Sequence, residues 1–93
     1  MFEVNEYFDG NVKSLAFKQG ENPATIGVMA AGKYQFGTNC IEHMTLISGA
    51  MKVKLPSESD WKTIQLNEMF VVEANTTFSV EISEDSVYLC VYF

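Results

Sequence analysis

No arginine occurs anywhere in this 93-residue chain. Its positive charge rests on six lysines, set against twelve acidic residues for a formal net charge of −6. Such a chain carries no electrostatic footprint for nucleic acid and no basic face for anionic membranes. Any phosphate group it binds is held by lysine, backbone N–H or hydroxyl groups. Cysteine is scarce too. Cys40 and Cys90 form no C-x-x-C pair and are too few for a disulfide scaffold. The N-terminal MFEVNEYFDG is acidic where a secretory leader is basic, and no apolar run reaches membrane-spanning length. These absences together lead to the expectation of free thiols in a reducing cytoplasm. Helical periodicity, repeats, linkers and low-complexity segments are absent as well.

What is present is apolar and aromatic. Hydrophobic residues make up 47% of the chain, with seven Phe, four Tyr and one Trp. The length fits one domain over residues 1–93 with a thin core. Short alternating runs are separated by turn signals. DGN sits between apolar positions after Tyr7 and Phe8, IGVMA ends at AAGK, and KYQFGT places Tyr34, Phe36 and Thr38 on one face. HMTLISG closes at Gly49, AMKVKL follows, and PSESD is a polar turn. WKTIQL and MFVVEA come next, and SEDS separates TFSVEI from SVYLCVYF. This spacing predicts eight to ten short strands in an all-β sandwich or small barrel. FEVNEYF reads either as a helical turn or as an edge strand. The aromatic last strand needs burial in a sheet or a partner, because an open edge there invites aggregation.

One segment, CIEHMTLISG, gathers reactive residue types. Cys40, Glu42 and His43 fall within four positions. Neighbouring strand residues face opposite ways, so Glu42 and His43 do not share an ion. Cys40 and Glu42 alone are too few for a tight metal site. A thiol three residues from a histidine has no special meaning either, since nucleophile and base meet in space rather than in sequence. Cys90 reads as a small buried apolar side chain.

The spacing does carry a resemblance. Glu42 and Gly49 match the first motif of the cupin superfamily of small β-barrels (jelly rolls), with Phe36 and Thr38 at its histidine positions. NEMFVVEANTTF matches the second, with Asn67, Glu73, Asn75 and Phe78 at the motif positions. Three of the four usual metal ligands are thus missing. NEYFDGNVKSLAF, IGVMAAGKYQFGT, EHMTLISGAMKVKLP, DWKTI and the final YLCVYF together resemble the bacterial pyrimidine/purine nucleoside phosphorylases of cupin fold. The resemblance runs from Asn5 to Phe93. It implies phosphorolysis of purine and pyrimidine nucleosides to free base and ribose 1-phosphate, with broad specificity and no metal or organic cofactor. Its partners are then nucleosides and inorganic phosphate. Two departures stand out. Glu73 replaces a frequent proline, and Val91 stands where relatives carry an arginine in the last strand.

Under that resemblance, Glu42 and Lys13 are the candidate catalytic residues. Glu42 faces the barrel interior and stabilises the charge that builds on the sugar, or else it is a solvated residue at the barrel mouth. Lys13 with Ser14 clamps phosphate, or it is a surface lysine on a hairpin. Ser48, Asn75 and Thr77 offer polar contacts at the rim. Thr38 shares the face of Tyr34 and Phe36. Tyr34, Phe36, Phe78 and Tyr88 are either core or the wall against which a base stacks. Stacking accepts any π-face and so fits broad specificity. Val91 groups with Val87, Leu89 and Phe93, a pattern of core packing. A homodimer paired through the terminal strand and FEVNEYF is expected. The competing function is a non-catalytic cupin-type binding protein for a sugar or nucleotide. A metal-dependent cupin enzyme is disfavoured, because one histidine does not build its site.

Overall fold

The computed structural model describes residues 2–93 and contains eight strands and no helix among them. They are β1 (Val4–Tyr7), β2 (Val12–Gln19), β3 (Asn22–Met29), β4 (Gly32–Gly37), β5 (Glu42–Lys54), β6 (Lys62–Ile64), β7 (Met69–Val72) and β8 (Thr77–Tyr92). Every pairing is antiparallel. The fold is all-β and cupin-like. FEVNEYF contributes an edge strand, β1, whose one neighbour is β2.

Two long strands organise the rest. β8 pairs with β5 along most of its length. On its other side it pairs with β4 over its first part and β3 over its last. β5 does the converse, taking β7 beside its first residues and β6 beside its last. Both strands therefore run from one layer into the other and wrap the core between them. Hydrogen bonding does not close the circle. The path runs β1-β2-β3-β8-β5-β6, with β4 and β7 as side branches. The cupin-like all-β fold expected from the sequence is present, and its barrel is an open one, a folded sheet whose hydrogen bonding does not close.

Two predicted breaks are not breaks. SEDS does not separate strands, and Gly49 does not end one. Pairing with β5 carries β8 through residues 83–86, and β5 continues through Gly49 with register shifts between Leu46 and Met51. The reason lies at Ser86, which is fully buried. Its hydroxyl accepts from Ala50 N at 3.0 Å and lies 2.8 and 3.2 Å from the carbonyls of Glu84 and Ala50, to one of which it donates. Gly49 adopts φ +100°, and a β-carbon there would overlap Ser86 and the Asp85 carbonyl. A glycine is needed because the bulge presses two backbones together in a left-handed conformation.

Residues paired across neighbouring strands share a face. The inward rows include Ser14–Gly27–Tyr88 and Thr25–Cys90–Met44–Phe70. Val12, Met29, Leu46, Val53, Val72 and Val80 form the fully buried centre. The outward face carries the row Val4–Leu15–Ile26–Leu89–Thr45–Met69. The terminal strand is therefore central in its sheet, and its burial needs no partner. Val87, Leu89 and Val91 belong to this outer face rather than to the interior. Val91 is buried there between Ala24 and His43, while Phe93 stays exposed and packs against the His43 ring at 4.3 Å.

Candidate functional site

Beside the core opens a cleft of about 490 Å³, a volume within the small-molecule range. It is bounded by β1 and its turn (Tyr7, Phe8), β2 (Ser14), β4 (Gln35, Phe36), β5 (Glu42, Met44) and β8 (Phe78, Tyr88, Cys90, Tyr92), with Met29 and Gly37 completing the wall.

One part of the wall is aromatic. Phe36 lies 5.5 Å from Phe8 in an edge-to-face contact and 5.7 Å from Phe78. Tyr34 supports this cluster from behind, 5.0 Å from Phe8, and its hydroxyl donates to Ala30 O at 2.7 Å. Phe8 is held in place by a turn in which Phe8, Asp9 and Gly10 all take positive φ. A bulky residue in that conformation is strained. The DGN signal marks the turn, and the turn aims Phe8 at the cleft.

The other part is polar. Glu42 is half-buried, and its carboxylate accepts a hydrogen bond from Cys90 Sγ at 3.5 Å. Burial raises its pKa above the ordinary carboxylate value, and the thiol bond offsets part of that rise. Burial likewise pushes Tyr88 up to about 12 and raises Cys90 and Tyr92. The Tyr92 hydroxyl shares a 3.0 Å hydrogen bond with Thr25 Oγ1. Tyr88 crosses over Gly27 toward Ser14, whose hydroxyl favours the ionised phenol. A β-carbon at position 27 would overlap the Tyr88 ring, so Gly27 makes room for it. The lining thus holds one carboxyl, several hydroxyls and a thiol, and no lysine or histidine among the described residues.

The fold gathers Ser14, Phe36, Glu42, Phe78 and Tyr88 into this cleft, and the other candidates elsewhere. Lys13 points away from Ser14 on the opposite face of β2, exposed and 3.5 Å from Glu6. Tyr34 stands behind the wall. Thr38 donates to Glu73 O at 2.6 Å and receives Thr76 N at 3.2 Å, tying the end of β4 to the turn before β8. Asn75 takes positive φ in that turn, and Thr77 and Ser48 are exposed. His43 faces outward where Glu42 faces inward, and no group of three metal-ligating side chains converges among the described residues. Sequence reasoning missed Tyr7, Phe8, Gln35, Cys90 and Tyr92. For the last two the signal was available, because alternation from Tyr88 carries the inward face to Cys90 and Tyr92.

The family model for pyrimidine/purine nucleoside phosphorylase matches residues 2–92. A protein of that name from Pseudomonas fluorescens is 56% identical over 99% of this chain and 98% of its own length. Another, from Psychromonas ingrahamii, is 54% identical over 98% and 97%. A crystal structure from Vibrio parahaemolyticus, described as a protein of unknown function, is 42% identical with a TM-score of 0.95, covering 100% of this chain and 99% of that one. The iron(II) form of HppE shares the fold alone, at 8% identity and a TM-score of 0.81 over 99% of this chain and 56% of that one. On sequence and fold together, the chain belongs to the pyrimidine/purine nucleoside phosphorylase family.

Proposed function

We propose that the cleft binds a nucleoside and cleaves its glycosidic bond with inorganic phosphate, releasing free base and ribose 1-phosphate. The observation that carries this reading is the division of one cleft into an aromatic wall and a polar patch centred on Glu42. The base stacks on Phe8, Phe36 and Phe78. The ribose meets Glu42 and the hydroxyls of Ser14, Tyr88 and Tyr92. Stacking with few base-edge contacts supports broad use of purines and pyrimidines. Holding the sugar beside the attacking phosphate removes the entropy cost of a bimolecular encounter.

The placement of Lys13 gives no support to a phosphate clamp at that residue. Hydroxyl and backbone N–H donors remain to hold the anion. Val91 points away from the cleft, so that departure lies on the outer face. One observation favours the second reading, a non-catalytic cupin-type binding protein: the lining offers no cation to an anionic co-substrate. The test is to incubate purified protein with uridine or inosine, with and without phosphate, and to measure free base. Phosphate-dependent release supports phosphorolysis. Absence of release under both conditions supports the binding protein.

The outer sheet face supports a homodimer. β1 and the end of the terminal strand both reach it, through Val4 and Phe93. The two free thiols fit a reducing cytoplasm.

A further inference from the structure

The expected task of Glu42 is to stabilise positive charge on the sugar, which requires the ionised carboxylate. The cleft points to a different chemistry. Glu42 is the one carboxyl in the lining, and no lysine or histidine lines the cleft among the described residues. Tyr88, Cys90 and Tyr92 from β8 feel its charge, and Tyr7 from β1, Ser14 from β2 and Gln35 from β4 line the same cleft. Val72 of β7 pairs with it, and Lys13 lies on the far face of β2. The ionisable groups among these neighbours are phenols and a thiol, none of which carries positive charge. Nothing at this site neutralises a carboxylate, and a phosphate anion arriving there meets another negative charge.

We infer that Glu42 works as the neutral carboxylic acid, admitting phosphate and donating its proton to the departing base. This deepens the phosphorylase reading and rests on it. In the step, a phosphate oxygen forms a bond to C1′ as the C1′–N bond breaks. The bonding pair leaves on the base, which takes the Glu42 proton. The proton lost by hydrogen phosphate on esterification returns to Glu42. The products are ribose 1-phosphate and neutral base, and the carboxyl group is restored. Tyr88, Cys90 and Tyr92 do not replace it, because burial makes each a weaker acid than usual. The raised pKa of Glu42 has the direction this role requires.

The test compares two leaving groups. Uridine needs a proton on its base, whereas the p-nitrophenolate of p-nitrophenyl ribofuranoside leaves without one. With phosphate present, Glu42→Gln is expected to cleave uridine at least ~100-fold more slowly than the wild type, the scale of lost acid catalysis. On the p-nitrophenyl substrate the loss is expected to be at least ~10-fold smaller than on uridine, with no rise in KM for phosphate. In the wild type, kcat/KM for uridine falls as pH rises through the Glu42 titration, while the p-nitrophenyl substrate lacks that limb. Equal losses on both substrates, or the same limb for both, overturn the inference. Carbon-13 NMR of the Glu42 carboxyl tests it without turnover. A carboxyl still substantially protonated near pH 7 supports it, and one fully ionised there overturns it. If wild-type protein releases no base from uridine with phosphate, the phosphorylase reading fails, and the NMR titration still judges the neutral acid.

Discussion

Glu42 shows how one side chain is set by its neighbours. Its strand turns it inward, and the half-burial that follows disfavours its charge. A carboxyl with a pKa raised on folding costs stability once it ionises. The cost is absent below the unfolded pKa, grows as pH rises toward the folded pKa, and is complete above it. Glu42→Gln keeps the shape and cannot ionise. Urea unfolding is therefore expected to find the variant more stable than wild type at pH 8 and close to it at pH 3. A variant less stable than wild type at pH 8, with no gain on raising the pH from 3, refutes this account. The sequence left Glu42 either facing the interior or solvated at the barrel mouth, and pairing with Val72 and Tyr92 turns it inward. The absence of a cation beside it was not legible either, because Lys13 adjoins Ser14 in sequence and only the pleat sends the two to opposite faces.

At the scale of elements, β5 and β8 decide the architecture, and the bulge at Gly49 lets them stay paired while both bend. Gly49→Ala forces a β-carbon into Ser86 and the Asp85 carbonyl in a left-handed backbone. The expected loss is at least about 2–3 kcal/mol, from backbone strain plus the disturbed Ser86 hydrogen bonds. Gly20 is the control, with φ +62° and open space around it. Gly20→Ala is expected to cost about 1 kcal/mol. Equal losses for the two in chemical denaturation would refute the packing role of Gly49. Glycine and the SEDS run read locally as strand ends. Only the partner strand reveals that pairing continues through them, since a bulge is a property of two chains segments and not of one.

For the whole molecule, the outer face is the unusual feature. Val4, Leu15, Val28, Met69, Val71 and Phe93 are each more than 40% exposed on it. With the half-buried Ile26 and Leu89 between them, they form one apolar face, the kind of surface that a standard interface of ~800 Å² per partner covers. The proposed homodimer would place a two-fold axis through this face and set apolar surface against its own copy. Light scattering is expected to report a dimer for wild type and a monomer with unchanged circular dichroism for Val28→Glu. A monomeric wild type, or a dimeric variant, counts against this interface.

The sequence by itself determined the strand-and-turn character, the inward sides of Phe36, Phe78 and Tyr88, and the family. Alternation, turn residues and motif spacing are local properties and survive in one dimension. The tertiary structure decided which inward residues share a cleft, that Lys13 stands outside it, that two pairs of predicted strands are two long strands, and that the sheet stays open. These depend on register between segments far apart in the chain. Register is fixed by the packing of all the strands at once, a condition that no single stretch of sequence contains.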